Sequence, residues 1–258
     1  MNHTIFLLTR RDIKRTLSLR TFVIWIVLAA ITVFFFFTTN GYHELVETNH
    51  VEFMAVFLAQ IIFGAWAVMS VYFDLISADR EHNVLDCILC SGVTKGQVFS
   101  AKLITMVVNS LLLSFVYLAP ITVVIGLLSD MGVALTVAKY FLPLWGYIMV
   151  FASMGIMISV LARSSKAAMI WSMASGLVLM PRFFEMIASG IGNALNLSEE
   201  VIDKISLISP GIMMETLSKP QNTESWMIAI TGFTSAVIMM MTIAYFTFKS
   251  QDEYNYGE

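Results

Sequence analysis

Residues 103–129 read LITMVVNSLLLSFVYLAPITVVIGLLS, with Lys102 before them, Asp130 after them and no charge between. A helix rises about 1.5 Å per residue, so this stretch is long enough to cross the roughly 30 Å hydrocarbon core of a bilayer. Five further uncharged stretches lie between Arg20 and Glu44, Glu52 and Asp74, Lys139 and Arg163, Lys166 and Arg182, and Glu224 and Lys249. All but one are long enough for a single crossing. The exception, residues 167–181, reaches only about 22 Å as a helix. A soluble core cannot hide this much apolar sequence. The chain reads as an all-α membrane protein forming a single transmembrane domain over residues 1–258. Its six transmembrane helices fall at about 21–39, 53–73, 103–128, 140–162, 167–190 and 225–248.

Composition agrees. The sequence is 58% hydrophobic and 13% charged, with a formal net charge of −3 and a mean hydropathy of +0.79. Soluble domains carry about 25% charged residues. Nothing in this balance points to nucleic acid.

Lys and Arg set the orientation of a membrane protein. One side would hold Arg10, Arg11, Lys14, Arg15 and Arg20, then Arg80, Lys95 and Lys102, then Arg163 and Lys166, and finally Lys249. The other side would hold Lys139, Arg182, Lys204 and Lys219, and its first loop carries Glu44, Glu47 and Glu52 instead. The richer side is cytoplasmic, so both termini are expected there, in a multi-pass protein of the plasma membrane. Residues 38–42 lack a small-x-small cleavage pattern, so the first apolar run reads as a retained span.

Residues 5–18 form an amphipathic helix. At about 100° per residue, Arg11, Lys14, Arg15 and Ser18 share one side, and Phe6, Ile13 and Leu17 the other. Such a helix lies in the interface with its basic face toward anionic headgroups. It is either a topology anchor or an elbow that also touches a partner.

The connection 74–102 is the most informative loop. Asp79, Arg80, Glu81, His82, Asn83 and Asp86 are polar, while Leu85, Ile88 and Leu89 recur at helical spacing. Ser91-Gly92 ends this short helix. Thr94 then caps a second one that runs through Lys102 into the third span. Residues 161–168, LARSSKAA, form a tight basic turn.

These parts, in this order, resemble a permease subunit of the type-2 ABC transporter family. That family has a basic interfacial helix and six spans. After the second span it has a segment of the form acidic–x–x–Gly–Thr–Leu–Glu–x–Leu–Leu–x–Thr–Pro–Val–Ser–Arg, ending in Gly-Lys. Here Glu81, Leu85, Asp86, Leu89, Ser91, Val93, Thr94, Lys95 and Lys102 match in type. Asn83, Val84 and Gly92 replace the usual Gly, Thr and Pro. Residues 163–168 resemble the family's Arg-x-Ser-x-Ala-Ala, and Ser209-Pro210 stands where many members have Asn-Pro.

The resemblance implies the membrane subunit of an ATP-driven exporter, working with a second permease copy or a paralogue. A separate cytoplasmic ATP-binding subunit would hold ATP and Mg. This chain has no P-loop and is expected to carry no cofactor and no catalytic residue. The helix around Glu81, Leu85, Asp86, Leu89 and Lys95 would be the cytoplasmic coupling helix. Residues 182–217 would form short extracytoplasmic re-entrant helices before the last span, with Arg182, Glu185 and Pro210 at the gate. Ser198 is expected to cap a helix with a stripe of Val201, Ile202, Ile205 and Ile208, stopped by Pro210-Gly211.

Competing chemistry is weaker. Cys87 and Cys90 have His82 nearby, but the chain has no other cysteine to complete a four-ligand structural site. The eighteen methionines suit apolar packing. A secondary carrier or channel not driven by ATP is the alternative, but an ion-coupled carrier normally needs an intramembrane charge. An intramembrane enzyme would need clustered His, Asp or Glu within the spans. The charge asymmetry makes a direct prediction. With Cys87 and Cys90 replaced by serine, an external thiol reagent labels Asn49→Cys and Gln221→Cys but not Asn83→Cys. External labelling at position 83 would invert the topology.

Overall fold

The computed structural model describes residues 3–39, 41–51, 53–195, 197–198, 201–202, 209–218 and 223–251. Among these residues every regular element is a helix. The first elements are α1 (His3–Thr16), α2 (Leu19–Thr38), α3 (Gly41–Thr48) and α4 (Phe53–Tyr72). Next come α5 (Ser77–Glu81), α6 (Val84–Cys90), α7 (Lys95–Leu128), α8 (Met131–Ala138) and α9 (Phe141–Leu161). The chain closes with α10 (Ser165–Val178), α11 (Pro181–Ala194), α12 (Pro210–Ser218) and α13 (Thr223–Ser250). Five stretches are long and apolar enough to cross a bilayer, and a sixth if α10 and α11 form one broken span.

Helix α9 is the centre, packed against α4, α7, α10, α12 and α13. It can be central because it carries small residues where neighbours come closest. At Gly155 an added Cβ would sit 3.0 Å from the Tyr72 Cβ on α4. Small residues let helices approach where lipid offers no hydrophobic drive to association. Two buried tyrosine hydroxyls find partners on neighbouring helices, as an apolar solvent favours. Tyr117 of α7 donates to the Val56 carbonyl at 2.9 Å and pairs with Thr32 of α2 at 2.7 Å. Tyr147 of α9 donates to the Gln60 carbonyl at 3.2 Å. Trp25 meets Tyr117 edge-on, with ring centroids 6.3 Å apart.

Two prolines open helices. Helix α10 ends at Val178, and Pro181 opens α11 at an angle of 69°. Pro210 likewise begins α12. The reason is the same in both cases. The first turn of a helix leaves its N–H groups unbonded, so a residue without one loses nothing there. The remainder of the expected helix from Ser198, including Ile205 and Ile208, lies outside the described residues.

The close approach at Gly155 is testable. Gly155→Leu forces α9 away from α4, an overpacking that costs about 1–3 kcal/mol. It should lower the unfolding midpoint in detergent. At Gly132 an added Cβ meets nothing within 4 Å, so Gly132→Leu should leave the midpoint nearly unchanged.

Candidate functional site

The chain leaves α4 at Tyr72 and turns through residues 73–76 into α5. This segment is where charge concentrates. Asp79 Oδ2 accepts from Lys102 Nζ at 2.7 Å and from Arg11 at 2.8 Å, and Oδ1 accepts from Arg15 at 2.8 Å. Lys102 also donates to the Leu75 carbonyl at 2.8 Å and lies 2.9 Å from Asp12 Oδ2. Arg11 bonds Asp12 Oδ1, and Arg15 reaches both the carbonyl and, at 3.3 Å, the carboxylate of Asp74. Three carboxylates thus face three cations. Lys102 is 1% exposed and Asp12 0%.

Burial alone would push the Asp79 carboxyl up. Lys102, then Arg11 and Arg15, outweigh it and hold the group below the usual carboxylate range. Burial likewise opposes charge on Arg11, yet the carboxylates of Asp12 and Asp79 hold its guanidinium above the ordinary value. Both groups are therefore held in their charged forms.

It is built by a polar stripe meeting a polar stripe. The buried residues of α1 are Thr9, Asp12 and Thr16, spaced to share one helix face. On α7 they meet Ala101, Lys102 and Asn109: Thr9 donates to the Ala101 carbonyl and Asn109 donates to Thr16. This corrects the expected placement of the basic face. Arg11 and Arg15 turn onto carboxylates of the same chain, and the exposed Arg10, Lys14 and Arg20 remain for headgroups.

Other helices close on the same segment. The backbone N–H groups of Ile76 and Ser77 both donate to Ser159 Oγ on α9 at 2.9 Å. Arg80 donates to the Val160 and Ala162 carbonyls at the end of α9, and to Gln251 just beyond α13. A cation suits that end of the helix dipole. Glu81 accepts from the Ser165 N–H at 2.9 Å, at the N-terminus of α10. That backbone bond, with a smaller opposing effect of burial, holds the Glu81 carboxyl below its ordinary range.

Beyond Glu81 the backbone reverses at Asn83, whose φ is +56°. Asn tolerates this left-handed conformation better than most residues, and it stands where the family pattern has Gly. Helix α6 then buries Leu85 and half-buries Ile88 and Leu89 against the core. Asp86, Cys87 and Cys90 remain exposed. Gly92, with φ +84°, ends the turn. Thr94 opens α7 in a capping box with Gln97. Lys95 donates to the Lys249 carbonyl at 3.0 Å, tying the start of α7 to the end of α13.

The residues expected at the gate lie far along the chain from this cluster. Glu185 is exposed on α11, and Pro210 is buried at the start of α12. Ser209 donates to the Leu179 carbonyl at 3.3 Å, joining that start to the α10–α11 break. The Arg182 side chain is not among those described.

The family model described as ABC-2 type transporter matches residues 3–210, from α1 to the first residue of α12. The chain belongs to the ABC-2 type transporter family. Comparison with curated proteins gives no match. The permease is a multi-pass membrane protein and a transport subunit, not an enzyme; in this family ATP hydrolysis sits on a separate subunit.

Of the residues expected to couple the permease to its ATPase, Asp86 faces outward, while Glu81 is exposed but engaged with α10. Leu85 and Leu89 pack inward, and Lys95 reaches α13. The sequence reading missed Asp12 and Asp79 as partners of Lys102, and Asp74 as a partner of Arg15. The available signals were an acid set among the bases of α1 and a lone Lys at the mouth of an apolar span.

Lys102→Met should strand Asp12 and Asp79 without their buried cation, a change that costs about 3–5 kcal/mol. The loss is read as a lowered unfolding midpoint and faster proteolysis after Arg10. The pH dependence has a definite sign. The folded Asp79 carboxyl is held below its ordinary value of 3.8, so its contribution is complete above that value and is lost as pH falls through the lowered one. Acidification from neutral to mildly acid pH should therefore leave the α1 contact protected in hydrogen exchange.

Proposed function

We propose that this permease is the membrane half of an ATP-driven exporter of the plasma membrane, with both termini cytoplasmic. Two permease subunits, identical or paralogous, form the translocation path. A separate cytoplasmic ATPase, which carries ATP and Mg, seats against α5 and α6. The observation that carries this reading is the contrast within one short segment. Helix α6 turns Asp86, Cys87 and Cys90 to solvent, while the residues leading into it are bonded to α1, α7, α9 and α10. An exposed helix with so fixed a base cannot absorb a push by bending alone. It passes the displacement to the helices it is bonded to, as rigid-body motion.

At the far end, α11 and α12 serve as the short re-entrant helices of the gate, with Arg182, Glu185 and Pro210. The 69° break between α10 and α11 supports this role. Irregular backbone at membrane depth is tolerated where protein or a water-filled cavity covers it. An ion-coupled carrier fits less well, because the buried charges here are mutually paired at the cytoplasmic end.

The test is co-purification followed by ATP turnover. Wild-type permease should retain a cytoplasmic ATPase and show substrate-stimulated hydrolysis, whereas the permease alone should show none. Asp86→Arg should lower stimulated turnover at unchanged expression. Glu81→Arg should lower it further, because it also removes the bond to Ser165. Unchanged ATPase binding and turnover in both variants would exclude this segment as the coupling element.

A further inference from the structure

Helix α6 carries both cysteines of the chain, Cys87 and Cys90. Both are free and exposed. Leu85 is buried, and Ile88 and Leu89 pack against the core. The two thiols therefore share the outward side of α6 with Asp86. Positions three apart on a helix are surface neighbours, with Cβ atoms about 5–6 Å apart. The end of α6 is wound in the direction that favours this pair. The Ser91 N–H donates to the Cys87 and Ile88 carbonyls, both at 3.2 Å, and the Gly92 N–H donates to the Leu89 carbonyl at 3.1 Å. The turn that contains Cys90 thus has partial 3₁₀ character, and 3₁₀ winding moves side chains three apart toward eclipse. At Gly92 an added Cβ meets nothing within 4 Å, so the chain just beyond Cys90 stands in open space.

The chemistry open to such a pair is thiol–disulfide exchange. Among the described residues no three His, Cys, Asp or Glu side chains gather to hold a metal ion. Disulfide closure needs Cβ atoms about 3.5–4.5 Å apart, less than the helical spacing, so closure would tighten the last turn of α6 further. Exposed or strained disulfides are the labile, reducible ones. In the cytosol such bonds are transient and serve catalysis or redox sensing.

We infer that Cys87 and Cys90 form a reversible oxidation site, closed by exchange with a low-molecular-weight disulfide such as oxidised glutathione, and that closure weakens ATPase seating on α6. The second part rests on the coupling role proposed above. One protein thiol attacks a sulfur of the small disulfide, whose S–S bond breaks. A mixed disulfide forms and one small thiol leaves. The other cysteine attacks the protein sulfur of that mixed disulfide, the Cys87–Cys90 bond forms and the second small thiol leaves. The dithiol gives up two electrons and two protons, and the small disulfide takes them. Closure reshapes the turn that follows Asp86 and removes both thiols from the face offered to the partner.

The experiment treats purified full-length permease in nanodiscs with oxidised glutathione, quenches in acid, alkylates the remaining thiols and digests with trypsin. Cleavage after Arg80 and Lys95 leaves both cysteines in one peptide. That peptide should be lighter by two hydrogens, carry neither alkyl group nor glutathione, and regain both thiols with dithiothreitol. In Cys90→Ser the reaction should stop at one glutathione on Cys87. A native peptide still doubly alkylated while denatured permease reacts would overturn the site, and so would one ending with two glutathiones or as linked permease dimers. Oxidised permease, freed of oxidant, is then mixed with the ATPase. Association should fall relative to untreated permease and return with dithiothreitol. In the doubly substituted Cys87→Ser, Cys90→Ser permease, treated and untreated samples should not differ. A closed disulfide with undiminished association would overturn the switch. The peptide measurement needs no ATPase, so a closed disulfide in a permease that retains no ATPase in either state would defeat the coupling scheme and leave the oxidation site standing.

Discussion

One carboxylate, that of Asp79, ties two distant parts of the chain to the segment after the second span. Oδ1 takes Arg15, and Oδ2 takes Arg11 and Lys102. Two of these cations belong to the N-terminal helix and one to the mouth of the third apolar span. Buried ion pairs contribute little net stability compared with apolar packing of the same volume, because desolvation offsets the Coulomb gain. Their geometry, however, is demanding. Every charge in this cluster has its partner only when α1, α5 and α7 sit in one arrangement, and any other docking of α1 strands a charge. The cluster therefore acts as a register device more than a source of stability. It also explains why α1 buries Thr9, Asp12 and Thr16 while Phe6 and Leu7 stay exposed.

The membrane-spanning part follows another rule. With no water to satisfy them, buried polar groups gain by pairing across a helix contact, as Tyr117 does with Thr32 and Val56. Helices come close through small residues such as Gly155, and also Gly176, where an added Cβ would fall 2.8 Å from the Trp66 ring. The Trp66 indole N–H, donating to the Met173 carbonyl at 3.1 Å, fixes α10 against α4 just before α10 ends.

These two rules differ in how far they can be read from sequence. The apolar spans were legible because the absence of charge over a long stretch is a local property. The cap at Thr94 and the stripe of Leu85, Ile88 and Leu89 were legible for the same reason. The cluster was not, because Asp12 and Lys102 are distant in sequence and nothing local says that they are buried together. Amphipathicity even misled: α1 has a basic face, but two of its bases turn inward to acids supplied by another element. The prolines are ambiguous in a different way. Pro181 and Pro210 carry the same missing N–H whether they end one helix or begin the next. Only the position of the following apolar run, Phe183–Phe184 in one case and Ile212–Met214 in the other, favours the second reading.

The two ends of the molecule consequently differ in mechanical character. At the end that holds the charge cluster, residues 75–81 make directional bonds to Ser159, Lys102, Arg11, Arg15 and Ser165. Displacing that segment relative to any one of these elements breaks charge-assisted bonds, the stronger kind of hydrogen bond. At the other end, α10, α11 and α12 are short and meet at breaks, with Ser209 to Leu179 a neutral bond across them. Apolar side chains around a cavity can slide at small cost, since dispersion contacts are individually weak and non-directional. Among the described residues the charged end is therefore the stiffer of the two, and the α10–α11 break, where apolar side chains meet beside a neutral bond, is the more yielding.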